Sequence, residues 1–264
     1  MGEECFPSFR GQREEEKPFK RQSIVRYAVI SDIHANLEAL TSVLTYLKSE
    51  NITRIYCLGD VVGYGPRPNE CVDVVRQSCR VCLAGNHDYA ALGWTDIEYF
   101  NPYAREAVAW TQRQLSRSSK AFLKKLPLTH ELSQDVLLVH SSPIEPREWN
   151  YILSEEEARV NLDAVPQRLI FIGHSHVPVV FSYHQGIIFS EQITLDLEED
   201  QYIVNVGSVG QPRDGDPRAC CVIYDEETFS LRYVRIPYDV EKTKQEILDR
   251  NLPRVLAMRL LVGQ

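Results

Sequence analysis

Residues 26–34 read Arg26-Tyr27-Ala28-Val29-Ile30-Ser31-Asp32-Ile33-His34, an apolar run that ends in an acid and an imidazole two positions apart. The run predicts a strand over 26–31. Leu37, Leu40, Val43, Leu44 and Leu47 then mark one helical face, so the fold begins near Val25 on a β-then-α unit. Arg54–Leu58 reads as the next strand, Glu70–Gln77 as a short helix and Val81–Ala84 as a third strand. Helix is expected from Tyr99 to Leu123, with Ala104, Val108, Leu115 and Phe122 among its apolar positions.

The pattern then changes. Strands are expected at Val136–His140, Leu169–Ile172, Val179–Tyr183, Ile187–Glu191, Tyr202–Val206 and Cys220–Asp225, with little helix between them. His184-Gln185-Gly186 and Asp225-Glu226-Glu227-Thr228 sit where hairpin turns belong. Glu241–Asn251 and Arg254–Leu261 read as closing helices, the second opened by Pro253. The whole implies an α/β chain with two packed sheets.

Nearly every expected strand ends in His, Asp or Asn beside a small residue. Along an extended Ser31-Asp32-Ile33-His34, alternation points Asp32 and His34 to one side, as a chelating pair requires, and Gly173-His174-Ser175-His176 repeats the pattern. Gly59-Asp60-Val61-Val62-Gly63 ends the second strand, Gly85-Asn86-His87-Asp88 the third and His140 the fourth. Of the seven histidines only His130 and His184 fall elsewhere. Seven groups (Asp32, His34, Asp60, Asn86, His140, His174 and His176) are too many for one tetrahedral ion and suit two that share a carboxylate. Mixed imidazole and carboxylate favours transition ions such as Mn or Fe, with Zn, Ni or Mg also admissible.

Composition limits the rest. A chain of 264 residues with 44% apolar and 25% charged residues can bury a large core, as one domain in preference to two. It has no apolar run long enough for a bilayer, and the first 22 residues carry three consecutive glutamates and no apolar stretch, so a soluble, cytoplasmic protein is expected. Residues 1–23 read as a flexible tail and 24–264 as the domain. A net charge of −8 disfavours extended nucleic-acid binding but permits a small phosphorylated substrate. Oligomeric state is left open. The seven cysteines sit mostly in apolar segments and read as reduced thiols, the Cys79/Cys82 pair included.

D-x-H, G-D-x-x-G, G-N-H-D, a His after an apolar strand, and G-H-S-H, in this order over about Val25–Tyr238, resemble the calcineurin-like metallophosphoesterases. Gly63-Tyr64-Gly65-Pro66, Asn69-Glu70-Cys71, Gly210-Gln211-Pro212-Arg213-Asp214-Gly215 and Pro217-Arg218-Ala219 look like that family's small single-domain phosphodiesterase branch. The resemblance implies a four-layer α/β/β/α sandwich. It places one ion on Asp32, His34, Asp60 and His176, and a second on Asp60, Asn86, His140 and His174, with Asp60 bridging. It makes His87 the proton donor to the departing oxygen, with Asp88 orienting its ring or raising its pKa. Val206 stands where proline is usual in that family, a change expected to alter loop stiffness only.

The implied reaction is in-line attack on phosphorus by a hydroxide held between two divalent ions. Arg213 is a candidate contact to a substrate phosphate, the alternative being a pair with Asp214 or Asp216. Protein phosphatases and dinucleoside-tetraphosphate hydrolases of the superfamily carry an arginine where Gly63-Tyr64-Gly65-Pro66 stands, which shifts expectation from monoesters toward diesters or pyrophosphate-like substrates. The rival from another class is a scaffold for protein assembly on the same fold.

Overall fold

A computed structural model of the chain describes residues 1–2, 26–98 and 100–264. The expected tail over 1–23 lies outside these beyond its first two residues. In chain order the elements are β1 (Arg26–Ile30), α1 (Leu37–Ser49), β2 (Ile55–Cys57), α2 (Pro68–Ser78), β3 (Val81–Cys82), α3 (Asn86–Ala91), α4 (Pro102–Gln114), α5 (Arg117–Leu123), β4 (Thr129–Glu131) and β5 (Val136–Val139). There follow α6 (Glu155–Asp163), β6 (Leu169–Ile172), β7 (Val179–Ser182), β8 (Gly186–Ile188), β9 (Gln192–Thr194), β10 (Tyr202–Asn205), β11 (Ala219–Asp225), β12 (Ser230–Ile236), α7 (Val240–Asp249) and α8 (Arg254–Arg259).

These strands form two six-stranded mixed sheets, ordered β3-β2-β1-β11-β12-β9 and β4-β5-β6-β10-β7-β8. Side-chain alternation builds the layers. Tyr27 and Val29 of β1 face the second sheet, where they meet Leu138, Phe171 and Val204, while Ala28 and Ile30 face α1 and α2. On the second sheet Val136, Leu138, Leu169 and Phe171 turn inward, and Leu137, Val139, Ile170 and Ile172 turn outward to α6. The result is the expected α/β/β/α sandwich. Among the described residues no helix is long and apolar enough to cross a membrane.

Parallel pairing fixes where the site forms. β1, β2 and β3 run parallel to one another, as do β5, β6 and β10, so their carboxyl ends line one edge of each sheet.

Several expectations are corrected. The helix expected over 99–123 is two helices, because Leu115 turns extended (ψ 121°) and Ser116 caps α5 by accepting the Ser119 N–H. Helix α6 was not expected: only Ala158, Asn161 and Leu162 of its residues are buried, too thin an apolar stripe to show a period. Its signal was the capping box Ser154…Glu157. The strand expected at 187–191 is β8 alone, after which the chain crosses to the first sheet as β9. β12, whose hairpin turn was anticipated, carries Arg232 and Arg235 among its apolar residues and so escaped notice.

Phe171 is fully buried between the sheets and meets Tyr27 and Tyr224 edge-on at ring separations of 6.2 and 5.9 Å. Truncating it removes one of the larger contacts that the two sheets share. Phe171→Ala should lower the free energy of unfolding by about 3–5 kcal/mol, measured by urea denaturation in excess chelator; a loss under about 1 kcal/mol would contradict this packing.

Candidate metal centre

All seven expected ligand residues lie at the common edge of the sheets, each at most 9% exposed. Potential donor atoms fall into three overlapping groups, Asp32/His34/His176, His34/Asp60/His87 and Asp60/His140/His174, with the atoms of each group within 4.8 Å of one another. Asp60 joins the groups. Its Oδ2 lies 3.7 Å from His34 Nε2 and 3.5 Å from His140 Nε2, while Oδ1 accepts the His87 backbone N–H at 2.8 Å.

The chelating pairs do not arise as expected. β1 ends at Ile30, and Asp32 and His34 are not on an extended segment: their φ angles are 54° and 48°. Asp60 (50°), His174 (67°) and His176 (64°) are left-handed too. Each such residue costs on the order of 1–3 kcal/mol unless its surroundings hold it. They are held. Asp32 N–H donates to Gly59 O, His34 N–H to Asp60 O, and the His174 N–H to Asp32 Oδ2 at 2.9 Å. Gly85 and Gly173 let the backbone pass directly against the Asp60 and Asp32 carboxylates, where any Cβ would clash. The Val206 N–H donates to Ile172 O at 2.9 Å, a rung between β6 and β10 that a proline could not make. Asn205 then holds Gly173 O and, through Oδ1, the Gly207 N–H.

Three imidazoles are fixed at Nδ1 by backbone carbonyls: His34 by Val62 O (3.2 Å), His140 by Leu58 O (3.2 Å) and His176 by Gln211 O (2.6 Å). A carbonyl only accepts, so each Nδ1 carries a proton and each ring turns its Nε2 inward. The Nε2 atoms of His34 and His176 nevertheless lie 3.0 Å apart, and His140 Nε2 lies 3.3 Å from Asn86 Oδ1. Nitrogen and oxygen donors gathered this closely suit a shared cation, whether a proton or a metal ion. Asp32 Oδ1 and His174 Nε2 are buried with no hydrogen-bond partner, as coordination positions should be. The donor set therefore fits divalent metal ions.

Charge points the same way. Burial pushes the carboxyls of Asp32 and Asp60 up, but facing imidazoles win, chiefly His176 for Asp32 and His140 for Asp60, and hold both ionised. Burial pulls His140 down, yet the Asp60 carboxylate overrides it and raises the imidazole to about 9. A positive charge is thus favoured beside Asp60 even without metal. Burial first, then Arg213, takes His176 to about 3, and burial with His140 takes His174 to about 4, so these rings stay neutral and free to coordinate.

Asp88 does not contact the His87 ring as expected. As the third residue of α3 it accepts the Gly85 N–H at 3.0 Å and the Val62 N–H at 3.2 Å, and burial beside Asp60 raises it to about 7. It braces the loops that carry Asp60 and Asn86. His87 instead packs against Tyr64, Phe100 and His34, at ring separations of 4.4, 5.1 and 4.9 Å, with no partner for Nδ1. Arg213 pairs with neither Asp214, which Arg235 holds, nor Asp216, which Arg218 holds; it donates to Tyr64 Oη and Gln211 Oε1.

A cleft of about 690 Å³ opens onto His87, Asn86 and His174, walled by Tyr64, Phe100, Trp149 and Tyr151. Tyr151 stacks on His174 at 4.0 Å. Sequence reading missed this wall; its signal was Trp149 and Tyr151 together in the loop after His140. A groove of about 750 Å³ elsewhere, beside Phe189, Arg218 and Arg235, holds none of the candidate ligands.

Comparison with known proteins agrees with this fold. The model of the calcineurin-like phosphoesterase superfamily domain matches residues 25–228. An uncharacterised protein of Methanocaldococcus jannaschii is 42% identical over 243 residues, covering 90% of this chain and 98% of that protein. A metallophosphoesterase structure from Sphaerobacter thermophilus is 38% identical with a TM-score of 0.81, covering 91% of this chain and all of that one. A hypothetical protein from Pyrococcus horikoshii, 19% identical over 90% of this chain and 98% of its own, shares the fold at a TM-score of 0.74.

If Asp60 serves two ions, its loss should remove both. Wild type dialysed against Mn is expected to retain about two ions per chain by elemental analysis, Asp32→Asn about one, and Asp60→Asn well under one. Equal metal content in Asp60→Asn and wild type would contradict the bridging position.

Proposed function

This chain belongs to the calcineurin-like phosphoesterase superfamily, and we propose that it is a phosphodiesterase that works with two divalent ions. The family is one of metal-dependent phosphoester hydrolases, and the clusters here could hold such ions. Asp32, His34, Asp60 and His176 would hold one, and Asp60, Asn86, His140 and His174 the other, most readily Mn or Fe. Bound there, two ions would supply an activated water and the positive charge that phosphoryl transfer needs. The observation that carries this reading is Asp60 Oδ2, at 3.7 and 3.5 Å from imidazoles of two separate clusters.

The chain's own residues supply the rest. His87 lines the cleft beside Asn86, in position to pass a proton to the departing oxygen. Burial keeps its pKa well below the usual value, and an arriving phosphate anion would raise its proton affinity. The Tyr64 loop presents an aromatic ring and not a guanidinium to His34 and His87. The cleft of about 690 Å³ beyond it leaves room for the second ester substituent.

Hydrolysis of bis(4-nitrophenyl) phosphate and 4-nitrophenyl phosphate in Mn buffer tests the reading. The diester should be turned over with the higher kcat/KM, and a large monoester preference would sink the assignment. His87→Ala should cut kcat about a hundredfold or more with metal content intact; full activity in that variant would rule out the proton-donor role.

A further inference from the structure

Two arginines come together beside the centre without a carboxylate. Arg213, on the loop after β10, and Arg259, at the end of α8, both donate to Gln211 Oε1, at 2.9 and 3.4 Å. Among the described residues neither makes an ion pair, since the nearby acids Asp214 and Asp216 are held by Arg235 and Arg218. The Nε atoms of both are buried and unpartnered. Like charges that share one neutral acceptor repel each other, and burial together with Arg213 lowers the pKa of Arg259. An anion placed between the two guanidinium groups would offset this repulsion and give their N–H groups an acceptor.

Its position is tied to the centre through two links. Gln211 O fixes the Nδ1 of His176, and the Arg213 N–H donates to His176 O at 3.3 Å. Tyr64 Oη accepts from Arg213, whose guanidinium lies 5.7 Å from the Tyr64 ring, while that ring packs at 4.6 Å on His34 and at 4.4 Å on His87. The Tyr64 ring is therefore a neighbour both of the Arg213 guanidinium and of the His34 and His87 imidazoles.

We propose that Arg213 and Arg259 form a second anion subsite, which takes the phosphate adjoining the scissile one in a substrate with two linked phosphates. This rests on the phosphoesterase reading of the centre and narrows its substrate to a phosphoanhydride-linked diester. Gln211 is a positioning residue for both guanidinium groups.

Binding tests the subsite without turnover, so its failure is separate from failure of the diester assay. Calorimetric titration of the Mn-loaded full chain with methylenediphosphonate and with methylphosphonate gives an affinity ratio for each variant, at one fixed excess of Mn. Wild type should prefer the diphosphonate, and Arg259→Gln and Arg213→Gln should each reduce the ratio about tenfold. Arg259→Lys, which keeps the charge, should restore part of it and serves if Arg259→Gln does not fold. A ratio unchanged in Arg259→Gln, or one that Arg259→Lys lowers as far as Arg259→Gln does, would overturn the proposal.

Discussion

Three backbone carbonyls, those of Leu58, Val62 and Gln211, each hold the Nδ1 of one histidine and so aim its other nitrogen inward. The rest of the centre depends on this. Carbonyls cannot donate, so the fold sets the Nδ1 protons, and the inward Nε2 atoms meet one another and the Asp32 and Asp60 carboxylates in a buried place beside the cleft. Two buried carboxylates would cost several kcal/mol each without a compensating charge. In the metal-free protein His140, raised to about 9, supplies part of it. Divalent ions would supply all of it.

The architecture brings the carbonyls into place. Parallel β1, β2 and β3 and parallel β5, β6 and β10 end on one edge, so residues far apart in the chain meet there. Left-handed backbone at Asp32, His34, Asp60, His174 and His176 concentrates strain at that edge, and the two-sheet core around Phe171 and Tyr27 is what holds it. Strain so placed is a mark of function more than of stability.

Much of this is legible in the sequence, because apolar strands that end in His, Asp or Asn are visible without coordinates. The seven candidate ligands stand at such strand ends, and the fold brings them together. Their local geometry was not legible: Asp32 and His34 look like alternate residues of a strand, but hydrogen bonds from the Gly59 and Asp60 segment turn the backbone left-handed. Asp88 follows His87 in sequence, yet as a helix N-terminal residue it serves backbone amides instead. The polar α6 and the arginine-bearing β12 carry too weak an apolar pattern. Arg259 has no local motif, and only the packing of α8 brings it to Gln211.

Anomalous diffraction from Mn-soaked crystals at the manganese edge tests the central claim most directly. Two peaks should flank the Asp60 carboxylate, one bounded by the Nε2 atoms of His34 and His176 and the other by His140 and His174. A single peak, or peaks away from these nitrogens, would contradict it.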